Sequence, residues 1–176
     1  KIAISAESTI DLQSNLLEKF DIHTTPFNIN LDEQVIPDEQ GVSSKIYDFV
    51  EKTKTLPKTS AVNQIQFEEH FASLLKSYDA VVHISLSSVI SSACQNAIAA
   101  AKNFDNVYVV DSKTLSTGIA LLAIRARKLA DSGLDAKTIA NKIQNLTPNV
   151  QAGFILENLQ YLYRGGRCSS LALFGA

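Results

Sequence analysis

The stretch that most constrains how this chain can fold is residues 80–101, AVVHISLSSVISSACQNAIAAA, where an apolar run breaks into serines and resumes as a small-residue helix. Residues 80–85 have the β-branched character of a central strand, whereas Ile90, Ala93, Ala97, Ile98 and Ala101 recur at the three-to-four spacing of a helix face. Between them stand Ser85, Ser87, Ser88, Ser91 and Ser92. A helix that begins here presents unpaired backbone N–H groups and the positive end of its dipole, and serines add donors without bulk. Two readings of the turn stand side by side: a cradle for a carboxylate or phosphate, and an ordinary serine cap between strand and helix.

The flanking sequence extends the pattern of strands alternating with helices. Residues 1–5 read as a first strand and 6–10 as a polar turn, after which Asp11 is placed to cap a helix carrying Leu12, Leu16, Leu17 and Phe20. Residues 22–31 are β-rich, with Pro26 arguing for an edge position. Residues 32–41 read as a polar excursion, a helix follows through Ile46, Tyr47 and Val50, and Lys58, Thr59 and Ser60 read as a loop. Asn63 with Gln66 is a capping box opening a helix whose stripe is Phe67, Phe71, Leu74 and Leu75. Residues 107–110 repeat the opening design, a buried strand running into Asp111, Ser112, Thr114, Ser116 and Thr117 before a nearly all-apolar helix that Gly133 stops. Asp135 caps one more helix, closed by Pro148.

This alternation predicts an α/β fold, with a three-layer α/β/α first domain built on a mostly parallel sheet. Composition shifts near Pro148, so the first domain is read as residues 1–148 and the start of a smaller, truncated α/β domain as 149–176. Within the latter, 150–156 reads as a strand and 159–163 as an amphipathic stretch before a glycine loop.

Composition narrows the function classes. With 45% hydrophobic and 19% charged residues the chain has the balance of a globular protein. A net charge of −2 without a dense Lys/Arg block gives no footprint for nucleic acid or an anionic membrane. No apolar run reaches a membrane span, and the chain starts directly in a strand, so a cytoplasmic protein without stable membrane insertion is expected. The absence of Met and the start at Lys1 set the expectation that residues precede it. Cys94 and Cys168 belong to no CxxC pair and are read as incidental thiols.

In open α/β sheets ligands bind beyond the carboxyl ends of the strands, and three such ends are polar here: Glu7 with Ser8, residues 85–92, and residues 111–117. There is no phosphate-binding glycine loop, no GxGxxG and no nucleophile elbow, and the three histidines lack metal-ligand spacing. No cofactor or metal is called for. His83 reads as a core histidine and His70 as a surface one. Glu7 and Asp111 are the acid/base candidates of a rival reading, a phosphotransferase or hydrolase using the same anion crevice. Arg164 and Arg167 flank two glycines and can aim a guanidinium at an anion.

Five motifs taken together resemble one family. KIAISAESTIDL is similar to the opening strand and acid-Ser-x-x-Asp-Leu turn of the DegV family of bacterial fatty-acid-binding proteins. LPKTSAVN is similar to its Pro-x-Thr-Ser loop, SLSSVISSACQNA to its serine run, and VVDSKTLSTG and YLYRGGRCS to two further signatures, so that the resemblance spans essentially the whole chain. It implies a non-catalytic carrier that holds a long-chain fatty acid and presents its carboxylate to a partner kinase, which phosphorylates it for phospholipid synthesis. The carboxylate falls to Thr59, Ser91 and Ser92. Ser8, Ser60 and Arg167 are expected near the head group or the partner, and Phe27, Leu115 and Ile119 around the acyl tail. Three departures stand out: Glu7 for the usual Asp, Ala61-Val62-Asn63 after Thr59-Ser60 for the usual Gln-Pro, and Ser92 where Gly is usual.

Overall fold

The computed structural model describes residues 1–156 and 159–166. In chain order the elements are β1 (Ile2–Glu7), α1 (Ser14–Lys19), β2 (Ile22–Thr25), β3 (Asn28–Leu31), β4 (Gln34–Pro37), α2 (Val42–Thr53), β5 (Lys58–Ser60) and α3 (Gln64–Leu74). They continue with β6 (Ala80–Ser85), α4 (Ala93–Ala101), β7 (Val107–Asp111), α5 (Thr117–Asp131), α6 (Ala136–Leu146) and α7 (Gln160–Arg164). Two compact units result. The first joins Lys1–Phe27 to Ala61–Ala152; the second joins Asn28–Ser60 to the described residues from Gly153 on. The chain thus leaves the first unit after Phe27 and returns to it at Ala61.

The first unit is a parallel four-stranded sheet in the order β2-β1-β6-β7, layered with helices as the α/β expectation requires. Ala3, Ile4, Val81, Val82 and Ile84 are fully buried, and α3 packs on α4 and α5 on α6 around them. Parallel strands covered by helices read as short apolar runs, which is why β6 and β7 are legible in the sequence. Caps fix the helix starts: Asn63 and Gln66 form the reciprocal capping box, and Asp135 accepts from the Thr138 N–H at 2.9 Å. Gly133 stops α5 in the left-handed region at φ 88°. The free edge of β7 is blunted by one side chain, since the Gln144 amide accepts from Asp111 N and donates to Asp111 O, both at 3.1 Å.

Several local expectations are corrected. Asp11 does not cap a helix: it follows a 3-10 turn at φ 53°, and α1 begins later, at Ser14, behind Gln13. The second unit carries a three-stranded antiparallel sheet, β4-β3-β5, so part of the polar excursion is a hairpin strand and Lys58, Thr59 and Ser60 are strand rather than loop. Residues 150–156, read as a strand for their apolar character, have no strand partner among the described residues.

Gly118, in the first turn of α5, is fixed by space. A Cβ there would stand 2.5 Å from Thr114 Oγ1 and 2.8 Å from its Cγ2, and Thr114 is itself buried. Gly118→Ala is expected to destabilise the protein by about 1–3 kcal/mol despite alanine's better helix propensity. Adding Thr114→Ala should recover most of that loss in urea unfolding; a single variant as stable as the parent would show that the turn yields freely.

Candidate functional site

Because side chains alternate across a strand, β1 and β6 bring their polar residues to one face. The register pairs Ser5 with both His23 and His83, Glu7 with Thr25, and Ser85 with Asp111. Two adjoining polar rows therefore cross the carboxyl end of the sheet, and residues 86–92 rise from them. All three polar strand ends singled out in the sequence lie on this rim.

The donors of the turn from β6 to α4 can be followed one by one. Leu86 N–H donates to Glu7 Oε2 at 2.9 Å, Ser87 N–H to the Thr114 carbonyl at 3.2 Å, and Ser88 N–H to Asp111 Oδ1 at 3.1 Å. Val89 N–H donates to Ser87 Oγ, and both Ile90 and Ser91 N–H to the Ser87 carbonyl. Ala93 N–H donates to Ser91 Oγ at 3.1 Å. The Ser92 N–H alone in this run has no acceptor among the described residues, and Cys94 and Gln95, in the open first turn of α4, likewise have none. Ser91 accepts with its oxygen and keeps its hydroxyl proton to donate. The first helical bond runs from Asn96 N–H to the Ser92 carbonyl, so α4 starts three residues after Ile90, which is half exposed in the turn and not on the helix face.

Ser92 has φ −75° and ψ −7°, the ordinary right-handed region. A side chain is accommodated there without strain, and its hydroxyl makes no capping bond. Serine in place of glycine thus leaves the backbone donor in place.

The other expected site residues are distributed as follows. Thr59 and Ser60 are exposed on β5 in the second unit. That unit holds a cavity of about 750 Å³ lined by Ile46, Tyr47, Val50, Leu56, Tyr161 and Arg164, with Thr59 and Lys58 also in its wall. Ser8 Oγ accepts from the Phe27 N–H at 3.1 Å. Phe27 and Ile119 are buried in the first unit's core and Leu115 packs against it. Arg167 lies outside the described residues, whereas Arg164 donates to the Lys54 carbonyl at 3.0 Å.

The acid/base candidates are both engaged. Burial alone would push the Glu7 carboxyl up; the facing His83, the Ser85 hydroxyl at 2.5 Å and the Leu86 N–H outweigh it and hold the group below its ordinary value. Asp111 is likewise held low, burial being outweighed by Lys113, whose Nζ stands 2.6 Å away, and by Ser88. Burial pushes the Cys94 thiol up to about 11, the environment of an inert cysteine.

One cluster escaped the sequence reading. Ser5 Oγ lies 2.6 Å from His83 Nδ1 and 3.1 Å from His70 Nε2, and His83 Nε2 is 3.3 Å from Glu7 Oε1. His83 is in the core as expected, but His70 is not a surface histidine: it is half-buried and turned inward onto Ser5. The available signal was the alternation of polar residues in SAE and HIS, on strands that long-range pairing makes neighbours.

A family model described as uncharacterised protein, DegV family, matches residues 1–174. The DegV protein of Bacillus subtilis is 32% identical over 98% of this chain and 63% of its own length. A Thermotoga maritima protein named fatty acid-binding protein is 30% identical over 99% of the chain and 63% of its own. The chain thus spans about three fifths of the length of these curated relatives. Among solved structures, the Bacillus subtilis DegV, described as a fatty acid binding protein, superposes with a TM-score of 0.85 at 31% identity, covering 99% of this chain and 64% of that one. A Thermus thermophilus DegV protein described by its fatty acid binding gives 0.82 at 26% identity over 95% and 60%. With a family model matched over residues 1–174 and a Bacillus subtilis relative 32% identical over 98% of this chain, the chain belongs to the DegV family.

Proposed function

We propose that this chain is part of a carrier for long-chain fatty acids, in which Ser91, Ser92 and Thr59 hold the acyl carboxylate for presentation to a partner kinase. The observation that carries the reading is the Ser92 N–H, without an acceptor among the described residues, beside the Ser91 hydroxyl at the start of α4, in a family whose members include named fatty-acid-binding proteins. Such donors suit an anion at a helix start. Each methylene removed from water contributes about 0.8 kcal/mol before the cost of association, so the tail supplies most of the affinity and the head group sets its direction. In this reading the carrier itself does no chemistry: Glu7 and Asp111 serve the turn, and acyl phosphate forms only when the kinase and ATP are added.

Mass spectrometry of an organic extract of the full-length protein is expected to show a long-chain acid, whereas a nucleotide or sugar phosphate in its place would favour a phosphotransferase. Ser91→Ala and Thr59→Ala should each weaken palmitate binding by about tenfold, the worth of one hydrogen bond to a charged group. Unchanged affinity in both variants would remove these residues from the head-group site.

A further inference from the structure

The turn that carries Ser91 and Ser92 is fastened to the sheet by a carboxylate that no ligand reaches. Glu7, Ser5, His83 and Ser85 are all 0% exposed. Both oxygens of Glu7 are met by donors: Oε1 by the Ser85 hydroxyl at 2.5 Å and Oε2 by the Leu86 N–H at 2.9 Å. His83 Nε2 closes on Oε1 from behind at 3.3 Å. An amide in this place would turn its NH₂ against one of these donors, so the site calls for a carboxylate rather than for any polar group of that size. Behind His83 the contacts continue to Ser5 and His70, which hold the imidazole in one orientation.

The consequence for the turn follows from its hydrogen bonds. Leu86 is its first residue, and the next, Ser87, accepts from both Ile90 and Ser91 through its carbonyl. A shift of Leu86 therefore moves Ser87 and, through it, Ser91 and the open N–H of Ser92. We propose that Glu7 is the positioning residue of the head-group turn, its buried carboxylate fixing Ser85 and Leu86 so that the Ser91 hydroxyl and the Ser92 N–H are presented to one anion. This rests on the carboxylate-binding role proposed above for Ser91 and Ser92.

The test compares Glu7→Gln and Glu7→Asp in the full-length protein, with palmitate and hexadecanol as probes and the backbone amide resonances of residues 86–94 as a second measurement. Glu7→Gln is expected to weaken palmitate by about tenfold while hexadecanol, which has the tail without the charge, stays within about twofold. The amides of Ser91 and Ser92 shift in the same variant. Glu7→Asp, which keeps the charge on a shorter arm, restores palmitate binding to within about threefold of the parent. Should Glu7→Gln fail to fold, Ser85→Ala removes one anchor only and is expected to show the same palmitate-selective loss at about threefold. Equal losses for both lipids, or unmoved Ser91 and Ser92 amides, overturn the positioning role. A parent protein that binds neither lipid overturns the carrier reading instead, and the amide comparison still decides the role of Glu7.

Discussion

Urea unfolding of a His83→Ala protein is expected to show a stability about 3–5 kcal/mol below that of the parent, the usual consequence of removing one partner from a buried charge-bearing pair. Two effects combine. The Glu7 carboxylate, sealed from solvent, keeps only Ser85 and Leu86, and Ser5 loses its contact at 2.6 Å. The ring also fills space: it meets Phe67 edge-on at 5.2 Å and Phe71 at 5.5 Å between centroids, so alanine leaves a cavity in the α3 side of the core. A double-mutant cycle separates them, because the cavity cost persists without Glu7 while the charge cost does not. Glu7→Gln with His83→Ala should cost less than the sum of the singles by more than about 1 kcal/mol. A His83→Ala protein within about 1 kcal/mol of the parent would show that the carboxylate is satisfied without the imidazole.

The pair also shows why the sequence was informative about some parts and silent about others. The α3 and α6 starts were legible because Asn63 with Gln66, and Asp135 with Thr138, settle them within one turn. Strand β6 was legible because burial on both faces leaves a short apolar run, and β7 because its buried and half-buried residues keep the same apolar character. By contrast β4 and β5 span four and three residues and exist only through pairing with β3, so nothing local distinguishes Thr59 in a strand from Thr59 in a loop. The serine turn was located correctly, yet the start of its helix was not, since Ile90 continues the apolar spacing while the Ser87 carbonyl holds it in the turn. Glu7 reads locally as an acid at a strand end, but nothing local reveals its partners: Ser85 and Leu86 lie 78 and 79 residues away in sequence. The motifs nevertheless pointed to the family, because they record each of these strand ends separately.

Stability is also expected to fall on acidification, beginning well above the ordinary carboxylate range, with His70 as the group responsible. Burial pushes its imidazole down to about 3 from an ordinary value of 6.5, with His83 on β6 and His23 on β2 adding to the effect and Glu7 on β1 opposing it. The unfolded chain therefore takes up a proton near pH 6.5 that the folded protein refuses until about pH 3, and stability is lost across that window as pH falls. One such proton corresponds to about 1.4 kcal/mol per pH unit; solvent at the half-buried ring trims this, leaving about 2 kcal/mol between pH 6.5 and 4.5. Glu7 acts with the same sign lower down, because its folded value lies below the ordinary 4.5 and its contribution is lost as pH drops through the folded value. His70→Gln keeps a polar nitrogen near Ser5 but cannot titrate, so its stability should fall less steeply than the parent's from pH 6.5 to 4.5. The other groups titrate alike in both proteins and cancel in the difference. Parallel curves for the two would mean that His70 takes its proton in the folded state as readily as in the unfolded chain, and that the inward contact with Ser5 does not keep the imidazole neutral.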